Sequence, residues 1–258
     1  MIMSTALNEK VARLRELHRP GEPLLLPNVW DAGSAKVVAE VGYPALATAS
    51  AAVSAMLGVP DHQGGTPEEM LGAAGRAIRA VDVPVTVDAE AGYGLAPEDL
   101  VARLVGIGAA GCNLEDTDHA GEGLRPVAEQ AKYLAEVRNA ARDAGADLVI
   151  NARIDVFLGA KKGPEVVAQA LERGRAYFEA GADCVYPIRV SDEADIRALV
   201  EGLPGPVNTN LPGNDLDLRK LAEIGVGRVS FGPMPYFTAL EALKGMATRI
   251  AAYENPYG

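Results

Sequence analysis

The chain has 258 residues, 48% of them hydrophobic and 23% charged, an ordinary globular composition with length enough for one large core or two modest ones. A formal charge of -11 excludes a nucleic-acid footprint, which needs clustered Lys and Arg, and points instead to small-molecule partners. The first residues, with Asn8, Glu9, Lys10, Arg13 and Arg15, lack the apolar run of a signal peptide, and no later run is long and apolar enough to span a bilayer. No membrane partner is expected, and the sequence reads as cytoplasmic, with Cys112 and Cys184 as reduced thiols inside buried strands.

Taken in chain order, residues 4–18 carry the pattern of an amphipathic helix, expected to pack across one end of the fold. Apolar runs follow at 24–29, 45–50, 83–88, 111–115, 148–153, 184–188, 206–210 and 228–232, interleaved with helical patterns. Pro67, Pro97, Pro126 and Pro164 suit the first turn of a helix. Gly108, Gly145, Gly181 and Gly225, spaced 37, 36 and 44 residues apart, suit helix ends, and each precedes a strand. This period is that of a β-strand, a helix and two connections. Continuous apolar runs such as 83–87 predict strands covered on both sides, as parallel strands under helices must be. An open doubly wound sheet also alternates strand and helix, but eight units in this length favour a single α/β domain over 1–258, a (β/α)₈ TIM barrel with an extra N-terminal helix. The Pro/Gly-rich stretches 203–206 and 211–214 are short and read as loops, so no linker divides the chain.

In such a barrel, chemistry collects where strands hand over to the following loops. The third strand ends in Asp88-Ala89-Glu90, and an alternating strand would place both acids on one side; the fourth ends in Asn113-Leu114-Glu115-Asp116, which brings Glu115 beside them. Carboxylates converging on a partly buried mouth repel one another, and a divalent cation is the simplest compensation; oxygen ligands select Mg²⁺ or Mn²⁺ over Zn²⁺. The plainer alternative is a set of loop acids making helix caps or surface ion pairs. Arg153, ending the fifth strand, suits a bidentate clamp on an anionic substrate or, equally, a salt bridge to one of the acids. Asp61 follows the second strand but decides nothing as an isolated acid. Asn208 and Asn210 alternate onto one face and suit hydrogen bonds to substrate. Tyr93 either lines the pocket or packs. Gly121 and Gly123 suit a mobile gate over the mouth, with His119 as a proton carrier or a plain loop residue; His62 divides the same way, and His18 reads as structural.

The motif Asp88-Ala89-Glu90-Ala91-Gly92-Tyr93-Gly94, then Asn113-Leu114-Glu115-Asp116 and Asn151-Ala152-Arg153-Ile154-Asp155, resembles the isocitrate lyase and phosphoenolpyruvate mutase family. Supporting segments in family order are Leu26-Pro27-Asn28-Val29-Trp30-Asp31, Leu57-Gly58-Val59-Pro60-Asp61 and Arg228-Val229-Ser230-Phe231-Gly232-Pro233, so the resemblance covers nearly the whole chain. It implies a Mg²⁺ site at Asp88, Glu90 and Glu115, partly through water, and substrate carboxylate contacts from the backbone near Ser50 and Ala51. It also implies a catalytic Asp61, an anion-binding Arg153 and a small anionic carboxylate as substrate. Family members resemble tetramers that exchange their last helix, a part that 236–253 suits here.

Three departures narrow the activity. Members that cleave isocitrate or methylisocitrate carry a catalytic Cys soon after the fourth strand, whereas 117–125 here contains none. At the end of the sixth strand, where lyases have Glu and mutases His, this chain has Ile188, and Glu90 stands where well-known members have Asp. The expected activity is therefore Mg²⁺-dependent C–C cleavage of another small 2-hydroxy- or 2-oxo-carboxylate through a pyruvate-enolate-like intermediate. The alternatives are P–C chemistry, as phosphonopyruvate hydrolase or mutase, and a carboxylate-binding relic without catalysis.

Overall fold

Helix caps and parallel strands alternate from the first turn to the last. The computed structural model describes residues 5–159, 162–211 and 216–257. In order these form α1 (Thr5–Glu16), β1 (Leu24–Leu26), β2 (Asn28–Val29), α2 (Ala32–Glu40), β3 (Leu46–Thr48), α3 (Ser50–Leu57) and α4 (Pro67–Arg79). Then come β4 (Val85–Asp88), α5 (Pro97–Ile107), β5 (Gly111–Glu115), α6 (Val127–Asp143), β6 (Val149–Ile154) and α7 (Pro164–Glu179). The last third holds β7 (Cys184–Pro187), α8 (Glu193–Gly202), β8 (Asn208–Asn210), α9 (Leu218–Ile224), β9 (Arg228–Ser230) and α10 (Met234–Ala251). Residue 4 of the expected first helix and 212–214 of an expected loop lie outside the described residues.

All strand pairings are parallel. One sheet runs β2-β3-β4-β5-β6-β7 and another β1-β9-β8, while a bridge between Val185 and Val207 joins β7 to β8. β1 and β2 are one barrel strand interrupted at Pro27, so the ring closes with eight staves, the (β/α)₈ barrel that the sequence predicts. Asn28 repairs the interruption: its amide nitrogen donates to Thr48 O at 2.9 Å and its Oδ1 accepts from Phe231 N at 2.8 Å, tying β2 to the chain on both sides.

The helices begin and end as the sequence marks them. Pro67, Pro97 and Pro164 open α4, α5 and α7, and Pro126 caps α6. Thr66 and Glu69 form a capping box on α4, and Asp31 and Ser34 do so on α2, each replacing orphan amide hydration and contributing about 1 kcal/mol. Gly108 and Gly225 take φ of +83° and +99° at the ends of α5 and α9, a conformation that a Cβ disfavours.

α1 closes the N-terminal end of the barrel. It buries Leu7, Val11 and Leu14, while Arg15 reaches Asp183 at 2.7 Å and Asp147 at 3.3 Å, residues just ahead of β7 and β6. A Cβ on Gly111 would stand 2.5 Å from Val149 O and 3.2 Å from the Leu14 side chain, so glycine lets the helix and strands approach. Cys112 and Cys184 are buried in β5 and β7, where the lack of solvation pushes both thiols up to about 12. No described helix is long and apolar enough to cross a membrane.

Candidate active site

With the N-terminal end closed, the open end is where the strands hand over to loops. A cavity there is lined by Ser50 and Ala51 after β3, Asp61 and His62, Asp88 and Glu90, Glu115, Arg153, Leu158, Ile188 and Arg189. The structure thus brings Ser50, Ala51, Asp61, Asp88, Glu90, Glu115 and Arg153 together. Its volume of about 200 Å³ suits a small acid rather than a polymer.

Each acid is held differently. Asp88 ends β4; its Oδ2 accepts from Ser50 N at 3.0 Å, and its own amide donates to Thr48 Oγ1 at 2.9 Å. Burial pushes the Asp88 carboxyl up, against the pull of Arg153 and with the push of Glu115. Glu90 reaches the mouth by another route than the sequence suggests. The strand stops at Asp88, and Glu90 lies in a turn at φ +48°, so the alternation of a continuous strand does not apply; the turn itself swings the side chain inward. Glu90 Oε2 accepts from Gln63 N at 2.5 Å, and burial followed by the Asp88 charge lifts its carboxyl to about 7. Among the described residues, four of the six non-glycine residues with positive φ, namely His62, Gln63, Glu90 and Tyr93, sit in these two facing loops. Backbone strain is concentrated at the site.

Glu115 is paired. Parallel register sets it beside Arg153, whose Nη1 lies 2.5 Å from Glu115 Oε2, and His119 Nε2 lies 2.6 Å from Glu115 Oε1. Against desolvation, which alone would raise it, the His119 hydrogen bond and the Arg153 charge hold Glu115 below the usual range. In return the bond to Glu115 raises His119. Arg153 also donates from Nε and Nη2 to Asp155 at 2.6 and 3.0 Å, so the ion-pair reading of this residue holds in the structure. Three of its five N–H groups are taken, which leaves two for an anion.

The support behind this row escaped notice in the sequence although the residues lie in its motifs. Asp155 accepts from Thr117 Oγ1 at 2.5 Å, its amide donates to Asp116 Oδ1 at 2.9 Å, and Asp116 Oδ2 accepts from Tyr177 OH at 2.7 Å and Arg173 at 3.0 Å. A string of acids adjoining a strand end signals such a network only once a partner on a distant helix is known. Residues 117–124 form a small hairpin, with Thr117 bridging Leu124 and Asp118 N donating to Gly123 O at 3.0 Å. This segment carries His119 to the cavity edge, where its ring lies 6.0 Å from that of His62.

Asn208 is a correction. It is fully buried in β8 beneath the mouth, where its amide donates to Ser230 Oγ at 3.3 Å, and it does not line the cavity. Three-residue β8 is too short to bring its first residue to the C-terminal end; Asn210, its last, is the one that reaches the loops. Asn28, Thr48, Tyr186 and Ser230 line the cavity without having been singled out as binding residues.

Among the described residues, no three His, Cys, Asp or Glu side chains stand as a ready-made metal cage. The donor set nonetheless fits a hard divalent cation. Asp61 Oδ1 and Glu90 Oε1 are buried without a hydrogen-bond donor, and neighbouring carboxylates surround them.

The sequence profile of the phosphoenolpyruvate phosphomutase family matches residues 14–251. A protein of Mycobacterium tuberculosis is 31% identical over 240 residues, spanning 93% of this chain and 89% of its own. The 2,3-dimethylmalate lyase of Eubacterium barkeri is 30% identical over 253 residues, spanning 95% and 86%. Among solved structures, a candidate phosphonomutase from Burkholderia cenocepacia J2315 superposes with a TM-score of 0.89 at 44% identity, over 94% of this chain and 99% of that one.

Proposed function

Because the chain belongs to the phosphoenolpyruvate phosphomutase family, within the superfamily that includes 2-methylisocitrate lyase and 2,3-dimethylmalate lyase, we propose that it is a Mg²⁺-dependent C–C lyase acting on a small 2-hydroxy- or 2-oxo-carboxylate. The observation that carries this reading is the convergence of Asp61, Asp88, Glu90 and Glu115 on one small cavity with orphan buried oxygens. Asp88, Glu90 and Glu115 hold the cation, Mg²⁺ or Mn²⁺, partly through water. When bound, it supplies Lewis-acid stabilisation of the negative charge that develops on the substrate oxygen.

The protein's own groups do the rest. Ser50 and Ala51 open α3; the Ser50 amide is held by Asp88, and the Ala51 amide beside it, where helix geometry leaves donors unused, meets the substrate carboxylate. The two spare N–H groups of Arg153 orient an anionic oxygen, pre-set by Asp155 and Glu115. Asp61 takes the proton of the carbinol hydroxyl as the C–C bond breaks and its electron pair passes into the enolate. His119, whose charged form the hydrogen bond to Glu115 favours, returns a proton from Nε2 to the enolate carbon, and the 117–124 hairpin excludes water while it does so.

P–C chemistry is the second reading, favoured by the 44% identity to a candidate phosphonomutase. A panel of 2-hydroxy and 2-oxo diacids and phosphonates, assayed with Mg²⁺ for pyruvate and for inorganic phosphate, separates the two. Calorimetry with oxalate, a planar mimic of the enolate, tests what they share. Oxalate should bind only with Mg²⁺; Asp88→Asn should weaken its binding through loss of the metal, and Arg153→Ala should weaken it by roughly 2 to 5 kcal/mol. Metal-independent binding, or metal-dependent binding that both substitutions leave untouched, overturns the assignment.

A further inference from the structure

Two cations line the cavity, and only one of them is spoken for. Arg153 is engaged by Glu115 and Asp155, as above. Arg189, in the loop after β7, lines the same cavity, exposed at its rim, and has no salt bridge to any described carboxylate. That lack is informative, because four acids line the same space and a flexible surface arginine among them would ordinarily fold onto one.

The backbone explains why it does not. Arg189 sits at φ +68°, in the left-handed region that a side-chain-bearing residue occupies at a cost on the order of 1 kcal/mol or more. Its amide donates to Oδ1 of Asn210 at 3.0 Å, and Asn210 is itself buried at the end of β8. A buried side chain on one stave thus pins the arginine's backbone on the next. The stave order places this cation three strands around the ring from β4 and two from β5, away from the acids. The wall beside it is apolar, from Ile188, Leu158 and Pro233.

We infer that Arg189 selects the charge of the substrate: it binds a second oxyanion at the end remote from the 2-hydroxy- or 2-oxo-acid group, while Ile188, Leu158 and Pro233 pack on the carbon between them. The favoured substrate is a dianion, and Ile188 supplies no acid to repel it. This inference rests on the proposed reading of the cavity as a 2-oxo- or 2-hydroxy-acid site. Guanidinium pairs bidentately with a carboxylate or a phosphonate, and the free fork of Arg189 offers that geometry at the mouth.

The test uses the Mg²⁺-loaded full chain and three ligands competing with oxalate, which is too short to carry the second oxyanion. Malate has a carboxylate at the far end, 2-hydroxy-4-methylpentanoate has an isopropyl group of the same shape, and 2-hydroxy-3-phosphonopropanoate has a phosphonate. Relative to oxalate, wild type should bind a dianion about tenfold or more tightly than the isopropyl compound, equivalent to about 1.4 kcal/mol. The tighter of the two dianions identifies the oxyanion, and dependence on Arg189 in either supports the inference. Arg189→Gln should erase the preference and Arg189→Lys should restore part of it. Arg189→Gly should erase it while leaving the melting temperature equal or higher, since glycine relieves the left-handed strain. A dianion preference intact in Arg189→Gln and Arg189→Gly overturns the inference while the oxalate site stands. No Mg²⁺-dependent oxalate binding in wild type overturns the cavity reading itself, and the inference with it.

Discussion

At the scale of single residues, the barrel floor holds a histidine that the fold keeps neutral. His18 is buried, its Nδ1 lies 2.8 Å from Leu14 O, and its Nε2 faces Arg228 Nη1 at 3.5 Å. The tautomer that fits carries the proton on Nδ1 and turns the Nε2 lone pair to the guanidinium. Arg228 is completely buried and its described neighbours, His18 and Asn113, are uncharged acceptors, so a second positive charge at His18 is disfavoured. Burial first and Arg228 second lower His18 from 6.5 to about 4. A depressed folded-state value means that the unfolded chain takes up the proton first. The contribution is therefore fully present above pH 6.5 and is lost as the pH falls through about 4; a shift of this size corresponds to about 3 kcal/mol. Denaturant unfolding between pH 7 and 4 should show a steeper loss of stability in wild type than in His18→Gln. Equal slopes would remove His18 from the acid response.

At the scale of elements, the 117–124 hairpin is proposed to act as a gate. Gly123 has φ +88°, and a Cβ on Gly121 would come within 2.5 Å of the Asp118 carboxylate that accepts its amide. Replacing both by Ala therefore disturbs the hairpin's own turn, but the tip is exposed and outside the core. The double variant should lose roughly tenfold or more in turnover while its melting temperature moves little; equal losses point to a structural loop. Wild-type turnover in His119→Ala would take that residue out of the mechanism. The same scale separates what the sequence made legible from what it hid. Gly108, Gly181 and Gly225 mark helix ends because a left-handed residue is a local requirement, and Pro67, Pro97 and Pro164 mark starts for the same reason. The acids at 88 and 115 were legible because their spacing from strand ends is also local, whereas Asp61, separated from its strand by α3, was legible only through the resemblance. Glu90's turn, the burial of Asn208 and the occupation of Arg153 were not, since they depend on where a strand stops and on partners one stave away. Arg189 left no local signal at all: a residue of ordinary type occupies a conformation that usually announces itself through glycine.

At the scale of the whole molecule, the last helix is the part that the barrel does not explain. α10 has 18 residues and buries none of them. An isolated helix of that length is marginal in water unless an apolar face is packed, yet Met234, Phe237, Leu240, Leu243 and Ile250 are all exposed. Near its start Tyr236 packs edge-on against Trp30 with centroids 5.2 Å apart, beside Phe237. Trp30 directly follows β2, and Gly232 and Pro233, which lead into α10, line the cavity, so whatever covers the start of the helix also stands near the cavity. We propose that the cover is α10 and the barrel of other copies of this chain, in a homo-tetramer that exchanges the helix. From Phe237 onward the exposed apolar positions recur at spacings of three, three and seven residues, which line one helical face and suit a symmetric, self-complementary contact. Light scattering on the purified chain should give a mass near four times 26.9 kDa. Leu240→Glu combined with Leu243→Glu should lower it to that of one chain with the circular-dichroism signal of the barrel retained and α10 frayed, because a charge on that face cannot be buried against its own copy. A single-chain mass in wild type at micromolar concentration, or a double variant that stays assembled, rejects the exchanged helix as the interface.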